Sequence, residues 1–372
     1  MQDVYVVKHS IATSLGNSVE ATWQRLLKGH SALDAIQHFN ADRLTSRKAC
    51  CIPDLLPAAE ENRVCALTRR VLDQITPVPS GTCVVWAGIK GNAEYIEADQ
   101  NMQMPYLPEH YHQWVAEMLG IGPLGFDINA ACASSTVGMA IGAQKIAQGE
   151  YGSVLICAAD VVTRFAFTGF SVLKALTPGM CRPFDKARDG MCIGDGAVAI
   201  LLADAETARK HKLDRLAHLS GWGISNDANH ITGPARDGAG LVMAIETALG
   251  MAGLSPDDTQ AFCAHGTGTI FNDSMELAAI EAVFGDRRFP VFSIKGAVGH
   301  TLGAAGGIDA VICAYALARK LIPPTVGLQT PESKAAGRVS NQAQVFDGRN
   351  ILTSNSGFGG VNAALVLHAV PI

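Results

Sequence analysis

The sequence has few charged residues for its length and no long apolar run, and these two shortages exclude several classes of protein. Charged side chains make up 17% of 372 residues, the formal net charge is −5, and Lys and Arg form no block. Because phosphate contacts need clustered positive side chains, we expect no nucleic-acid partner. Apolar runs such as residues 154–159 are far shorter than the roughly 20 residues of a transmembrane helix, so no membrane span is expected.

Cysteine pairs and phosphate loops are also missing. The ten cysteines include no C-x-x-C pair and no regular spacing, which predicts neither a zinc site nor a disulfide framework. No Gly-rich segment matches a phosphate-binding motif in a strand–loop–helix setting. The first residues lack the charged and apolar regions of a signal peptide. We therefore expect no metal, no redox cofactor and a reducing, cytoplasmic location.

What the sequence does contain is typical of a compact α/β protein. Hydrophobic residues make up 48% and glycines number 38. Apolar segments predict strands near residues 4–7, 81–88, 126–129 and 153–159, with helices near 18–27 and 111–119. The same alternation of strands and helices is predicted again later in the chain, with strands at 219–224 and 261–265 and helices at 238–251 and 274–284. A polar stretch over 203–218, predicted to be helical, separates two loosely similar halves, residues 1–205 and 206–372.

Cys132 is the first candidate for chemistry. It follows the short strand near 126–129 and precedes a helix of small residues, where free backbone N–H groups favour a reactive thiolate. Taken alone, the segment fits a buried structural cysteine equally well.

Two histidines in separate glycine-rich segments support the reactive alternative. His265 opens His-Gly-Thr-Gly-Thr directly after an apolar strand, and His300 lies in a glycine-rich turn that precedes a buried helix. A neutral imidazole Nε2–H can donate to a developing enolate or oxyanion. We interpret other histidines, among them His110 and His112, as ordinary core or surface groups.

The tetrad Gly-Phe-Gly-Gly at residues 357–360 is the last candidate. Glycines at this density permit positive φ and close approach of two backbones. A tight turn between two strands explains the tetrad equally well.

In order along the chain, these segments resemble the β-ketoacyl-acyl carrier protein synthases of the elongating Cys-His-His type. The matching pieces are Leu-Gly-Asn at 15–17, Ala-Cys-Ala around Cys132, Cys-Arg-Pro-Phe-Asp at 181–185, Arg-Asp-Gly at 188–190, Gly-Asp-Gly-Ala at 194–197, both histidine motifs and the 357–360 turn. The resemblance implies a thiolase fold with two related α/β halves in five layers, α-β-α-β-α. The N-terminal half would carry the cysteine and the C-terminal half the two histidines.

The resemblance also implies roles. Cys132 would take an acyl group from a carrier-protein thioester. The backbone N–H groups of Cys132 and Phe358 would form an oxyanion hole, and Phe358 would gate the acyl pocket. His265 and His300 would assist malonyl decarboxylation and stabilise the enolate that attacks the acyl thioester.

Four further residues follow from the same resemblance. Lys295 would hold the hydrogen-bond network; as a charged amine it makes a poor base unless it is strongly desolvated. Asp309 stands where the family has a supporting glutamate. Thr267 and Thr269 would bind the phosphopantetheine arm of the carrier.

The implied partners are an acyl carrier protein and a second subunit, either an identical chain or a related ketosynthase-like one. Arg63, Arg69 and Arg70 are candidates for docking an acidic carrier, although solvated helix charges explain them as well. No cofactor is implied beyond the carrier's own phosphopantetheine.

Three departures from the family pattern favour a specialised polyketide or aryl-polyene-type enzyme over a housekeeping fatty-acid enzyme. The segment 88–124 is shorter than usual, the phenylalanine before the 357–360 turn is missing, and His-Ser-Ile-Ala replaces Thr-Gly-x-Gly at 9–12. The main alternative is a non-catalytic chain-length factor, but such proteins usually lack the cysteine. A thiolase would need a second catalytic cysteine near Ser356, and an initiating synthase would have asparagine at His300.

Overall fold

The computed structural model describes residues 1–56, 61–89, 93–97 and 110–370. The strands are β1 Val4–Thr13, β2 Asp34–Ala35, β3 Lys48–Ala49, β4 Cys83–Trp86, β5 Gly125–Asp127, β6 Ser153–Asp160, β7 Gly196–Asp204, β8 Ala217–Asn226, β9 Ala261–Cys263, β10 Val291–Phe292, β11 Leu321–Ile322, β12 Gln344–Val345, β13 Asn350–Gly357 and β14 Val361–His368. The α-helices are α1 Val19–Leu27, α2 Arg63–Ile75, α3 Ala93–Glu97, α4 Tyr111–Leu119, α5 Ser134–Ala147, α6 Arg164–Val172, α7 Ala205–Lys210, α8 Ala239–Met251, α9 Ile270–Phe284, α10 Lys295–Val298 and α11 Ala305–Arg319.

Ten strands form one sheet whose two halves have the same topology. The order is β10-β9-β13-β14-β8-β1-β7-β6-β4-β5. In each half, counted along the chain, the first strand lies at the centre of the sheet, followed outward by the fifth, fourth, second and third. The fifth strand is antiparallel to both neighbours, and the outer pairs are parallel. The halves join where Tyr5 and Val6 of β1 pair with His218 and Ala217 of β8.

Helices cover both faces of each half, which gives five layers. Along β7, Val198, Ile200 and Leu202 pack into the central apolar cluster with α5 and α11. The alternate residues Leu201 and Ala203 pack outward into a second cluster with α2 and α4. A third cluster lies between the C-terminal strands and the outer helices α8 and α9. Strands buried on both faces explain the continuous apolar runs in the sequence.

The central layer brings the first turns of α5 and α11 together. The N–H of Gly307 donates to Ser135 Oγ at 2.8 Å. A Cβ on Gly306 would lie only 1.8 Å from Thr136 Oγ1, so this position requires glycine. The small residues at the starts of both helices therefore let the two halves meet closely.

Most predicted elements are confirmed, including the helix at 111–119, but the helix over 203–218 is largely wrong. α7 spans only residues 205–210, flanked by the ends of β7 and β8. Asp204 caps its start, and Lys212, just beyond its end, has φ +53°, which a continuing helix does not allow. Much of the shortened segment 88–124 lies outside the described residues.

Among the described residues, Leu302–Arg319 has the length and hydropathy of a membrane span, yet 83% of this stretch is buried inside the protein. It contains α11, so its apolar composition serves the central layer.

Candidate active site

Cys132 lies in a tight turn between β5 and α5. Ala131 has φ +49°, a conformation that costs a non-glycine residue roughly 1–2 kcal/mol. Ser134 holds the turn: its hydroxyl donates to the carbonyl of Ala131 at 2.6 Å and accepts from the N–H of Ala130 at 2.9 Å. The side chain of Cys132 is only 5% exposed and lines a cavity of about 390 Å³.

The same cavity collects the other predicted reactive groups. Besides Cys132, it is lined by His265, Thr267, Thr269, His300 and Phe358. Lys295 and Asp309 lie behind the histidines, both buried, with Lys295 Nζ 2.9 Å from Asp309 Oδ2.

The two imidazoles stand edge to face. The ring centroids of His265 and His300 are 5.0 Å apart and the planes meet at 86°. Burial, reinforced by the charge of Lys295, lowers the pKa of His300 to about 3. Burial, Lys295 and His300 together lower the pKa of His265 well below its ordinary value. Both imidazoles are therefore neutral at physiological pH.

Hydrogen bonds to Nδ1 fix the tautomer of both rings. The N–H of Leu302 donates to His300 Nδ1 at 3.3 Å, and the Asn355 amide donates to His265 Nδ1 at 3.2 Å. The Asn355 Nδ2 also donates to Asp309 Oδ2 at 2.9 Å, and a carboxylate only accepts, so the amide orientation is set. In each neutral ring the remaining proton is on Nε2, where it can be donated.

Lys295 remains charged. Burial alone would lower the pKa of this amine, but the Asp309 carboxylate beside it outweighs burial and raises the pKa above its ordinary value. A protonated amine has no lone pair with which to accept a proton.

Asn355 was not predicted from the sequence, and it links two of the predicted groups, His265 and Asp309. Its Oδ1 accepts from Thr136 Oγ1 at 2.7 Å, and its Nδ2 reaches both His265 and Asp309. Thr136 belongs to α5 and Asp309 to α11, so this amide connects the central layer to β13. Its position two residues before the 357–360 turn was the available signal.

Glu276 was also missed, and it holds the backbone of the His265 motif. Its carboxylate accepts the N–H groups of His265 and Gly266, each at 2.6 Å, and the Asn272 amide at 2.8 Å. Burial and the nearby Asp273 raise the pKa of Glu276 to about 8. The spacing of Asn272 and Glu276, one turn apart on α9, was a signal that the motif is anchored by the helix that follows it.

The two threonines of this motif lie at the start of the same helix. Thr267 Oγ1 and Thr269 Oγ1 are 2.9 Å apart, and Thr269 caps α9 by accepting from the N–H of Asn272. Both line the cavity and can offer hydroxyl groups to a bound molecule.

The 357–360 tetrad is both a turn between strands and part of the site. It connects β13 to β14. A Cβ on Gly357 would lie 2.7 Å from the carbonyl of Ala130 and 3.2 Å from the N atom of Cys132, so glycine brings this turn against the cysteine. The Phe358 side chain, 36% exposed, has its ring centroid 5.8 Å from that of Phe170.

The prediction that three arginines dock an acyl carrier protein is wrong for Arg63 and weakened for Arg69 and Arg70. Arg63 is buried and paired with the buried carboxylate of Glu94, so it cannot meet a partner. Arg69 pairs with Glu61 at 2.6 Å and Arg70 with Asp54 at 3.1 Å. These charges already have partners on the same surface.

Comparison with known proteins agrees with this geometry. Residues 75–208 match the model of the β-ketoacyl synthase N-terminal domain, and residues 216–329 match that of its C-terminal domain. The chain is 30% identical over 391 residues to 3-oxoacyl-[acyl-carrier-protein] synthase 2 of Staphylococcus aureus, covering 95% of this chain and 97% of the relative. It is 33% identical over 291 residues to putative polyketide β-ketoacyl synthase 1 of Streptomyces halstedii, covering 75% and 69%.

Among solved structures, the ishigamide ketosynthase/chain length factor superposes with a TM-score of 0.89 at 28% identity, over 100% of both chains. The predicted thiolase fold is thereby confirmed. The two domain matches and the 30% identity over 95% of this chain show that it belongs to the β-ketoacyl synthase family of acyltransferases.

Proposed function

We propose that this chain catalyses decarboxylative Claisen condensation of an acyl group, held on Cys132, with malonyl-acyl carrier protein to give β-ketoacyl-acyl carrier protein. The observation that carries the proposal is the cavity shared by Cys132, His265 and His300, with both imidazoles held neutral and protonated on Nε2.

In the first step Cys132 Sγ attacks the thioester carbonyl of an acyl-carrier protein. The carbonyl oxygen becomes an oxyanion, to which the N–H groups of Cys132 and Phe358 donate. The bond to the carrier's sulfur then breaks, and the carrier thiol leaves with the proton that Cys132 gave up. The close contact of Gly357 with Cys132 supports placing the two N–H groups together.

In the second step malonyl-carrier protein enters the same cavity and loses CO₂. The bond between the malonyl methylene carbon and the free carboxylate breaks, and its electron pair forms an enolate. The Nε2–H groups of His265 and His300 donate to the enolate oxygen. Neutral donors suit this task because they do not neutralise the enolate before it reacts.

In the third step the enolate carbon attacks the acyl-Cys132 carbonyl. The new carbon–carbon bond forms, the tetrahedral intermediate collapses, and the Cys132 thiolate leaves. The product departs on the carrier. Lys295, Asp309 and Asn355 act as positioning residues: Lys295 pairs with Asp309, Asp309 accepts from the Asn355 amide, and that amide donates to His265 Nδ1.

Thr267 and Thr269 would bind the phosphopantetheine arm, as their hydroxyl groups line the same cavity. The partners we propose are an acyl carrier protein and a second ketosynthase-like subunit. The likeness to a ketosynthase/chain length factor structure and to a polyketide synthase favours a polyketide-type pathway and a heterodimer. No cofactor beyond the carrier-bound phosphopantetheine is needed.

The proposal also includes a boundary between the two halves and a cellular location. The halves divide at residues 205 and 206, close to the end of the first matched family model at 208. A reducing cytoplasm is the location we propose, because the sulfur of Cys132 must stay reduced to act as a nucleophile. The alternative, a silent chain-length-factor-like subunit, is disfavoured by the complete set of reactive groups in one cavity.

Intact-mass analysis tests the proposal. The protein, alone and with its co-purified partner subunit, is incubated with acyl-carrier protein and then with malonyl-carrier protein. We expect an acyl adduct on the wild type and on Cys51→Ser, a matched cysteine control outside the cavity, and none on Cys132→Ala. A β-keto product should follow on the carrier. An unacylated wild type in both preparations, with the fold intact by circular dichroism, would assign the chain to the silent-subunit class.

A further inference from the structure

Three side chains with metal-ligand chemistry meet at the edge of the sheet, and none of them lines the active-site cavity. His110 precedes the first residue of α4, His112 is the second residue of that helix, and Asp127 ends β5. Within the described residues β5 is the last strand on the N-terminal side of the sheet. We propose that these three residues form a binding site for a divalent cation of the Zn²⁺ class.

The ligand atoms already converge. His112 Nδ1 lies 3.0 Å from Asp127 Oδ1, and His110 Nδ1 lies 3.7 Å from Asp127 Oδ2. One ligand atom from each residue falls within 4.8 Å of the others. A tetrahedral Zn²⁺ with bonds of about 2.0–2.1 Å holds its ligand atoms about 3.3 Å apart. Only small rotations of the side chains separate this arrangement from a coordinated ion.

The surroundings fix two of the ligands and leave the third adjustable. His112 is buried, and its own backbone N–H donates to Asp127 Oδ1 at 3.0 Å, which ties α4 to β5. A Cβ on Gly125 would come within 3.0 Å of His112 Cδ2, so glycine there makes room for the ring. The side chain of His110 is 51% exposed and can close onto an ion from the solvent side.

The chemistry of the set selects the class of ion. Two imidazoles and one carboxylate are the ligands of many three-residue zinc sites, whereas Ca²⁺ and Mg²⁺ prefer oxygen ligands. Three protein ligands leave a fourth position for water. Because a carboxylate only accepts, His112 Nδ1 carries the proton in its contact with Asp127. Coordination through Nδ1 therefore requires a change of tautomer: the neutral ring gives up the proton on Nδ1 and takes one up on Nε2.

An ion at this site would lie next to the segment that leads to the nucleophile. Asp127 begins the connection that leads to Cys132, and α4 packs against β4 and β5. An ion bound here would cross-link α4 to the strand that precedes the nucleophile turn. The expected effect is stabilisation of this edge of the sheet, with no part in the chemical steps.

Equilibrium dialysis of the full-length protein against Zn²⁺ alone tests the site, with the bound metal measured by elemental analysis. The variants are His110→Ala, which alters a half-exposed side chain, and Asp127→Asn, which keeps the shape of the carboxylate. His211→Ala, at an exposed histidine directly after α7, is the matched control. We expect one Zn²⁺ per chain for the wild type and the control. Affinity should fall at least about 10-fold in both site variants, since even indirect supports of a metal ligand contribute that much.

Co²⁺ provides a readout that distinguishes this site from the ten cysteines. Co²⁺ bound by nitrogen and oxygen ligands gives visible d–d bands without the charge-transfer band of a thiolate ligand. We also expect Zn²⁺ to raise the Tm of the wild type more than that of His110→Ala. Equal binding by the wild type and His110→Ala, absence of binding by the wild type, or a thiolate spectrum would each overturn the proposal.

Discussion

The N-terminal and C-terminal halves share one strand order but contribute different chemistry from matching positions. In each half the third strand leads into the helix of the central layer: β5 into α5, and β10 into α11 through residues 293–304, which include α10. Cys132 lies in the first of these connections and His300 in the second. The shared scaffold thus brings a nucleophile and a hydrogen-bond donor together where the two central helices begin.

The halves differ most in how their last two strands are connected. Residues 358–360 join β13 to β14 by a tight turn that touches Cys132, whereas residues 161–195 join β6 to β7 and include α6. That long connection also supports the other half, because the N–H of His300 donates to the carbonyl of Cys192 at 2.7 Å. The two halves thus keep the same strand order, and the segments that connect their strands give equivalent positions different roles.

The histidine variants test the division of labour between the halves, and they carry the largest expected effect. His265→Ala and His300→Ala should lower malonyl decarboxylation about 10²–10⁴-fold, because the enolate loses a preorganised donor. Acyl transfer to Cys132 should persist, since the nucleophile and its oxyanion hole are untouched. The measurements are CO₂ release and intact mass, with His211→Ala as control. Loss of acyl transfer at unchanged decarboxylation would reverse the assignment of the halves.

Asn355→Leu tests the connection between the halves. We expect decarboxylation to fall about 10²-fold, because His265 loses the donor that keeps its proton on Nε2. Nitrogen-15 NMR of the histidine rings should show a single Nε2–H tautomer for His265 in the wild type and a mixture in the variant. An unchanged tautomer together with a lowered rate would assign Asn355 to packing alone.

Gly357→Ala sharpens the comparison of the two connections. The new Cβ would meet the carbonyl of Ala130, so the turn must move away from Cys132. Acyl transfer should slow about 10-fold, and the free energy of unfolding should fall by about 1–3 kcal/mol. Gly250→Ala, on α8 with no atom near its added Cβ, is the control and should keep the wild-type rate. Equal rates for the two variants would show that the close approach is unimportant.

The smallest expected effect on the rate is that of pH. The pKa of His300 lies near 3 in the folded protein and near 6.5 in the unfolded chain, so the decarboxylation rate should show no His300 titration between pH 5 and 8. Unfolded chains bind a proton in the interval between these values and the folded protein does not. His300 therefore contributes stability that is complete above pH 6.5 and declines as the pH falls toward 3, by about 1.4 kcal/mol per unit.

Chemical denaturation across that interval checks the sign. His300→Asn should flatten the dependence on pH relative to the wild type. A steeper loss of stability in the variant would contradict a neutral histidine at this position.

The sequence pointed to residues that the structure brings into one cavity, because each lies where a strand meets a glycine-rich or small-residue segment. Cys132, His265 and His300 were found this way, and the alternation of short apolar strands with helical segments along the chain explains why the α/β layers were predictable. The resemblance supplied Lys295 and Asp309. None of this required knowledge of contacts distant in sequence.

The missed residues depend on such contacts. Asn355 meets Thr136 across the central layer, and Glu276 reaches back to the backbone of His265. Arg63 shows the opposite error: on a helix it looked solvated, yet Glu94 makes it a buried pair. Local pattern cannot show which charge a fold will bury, because that depends on what packs against it.

The meeting of the two central helices has a consequence for synthesis on the ribosome. The N-terminal half emerges first, with the apolar face of α5 uncovered until α11 and β13 are made. The turn that touches Cys132 follows still later. A growing chain of this protein therefore carries its thiol long before it can use it, and the uncovered helix face is where a chaperone would bind in the meantime.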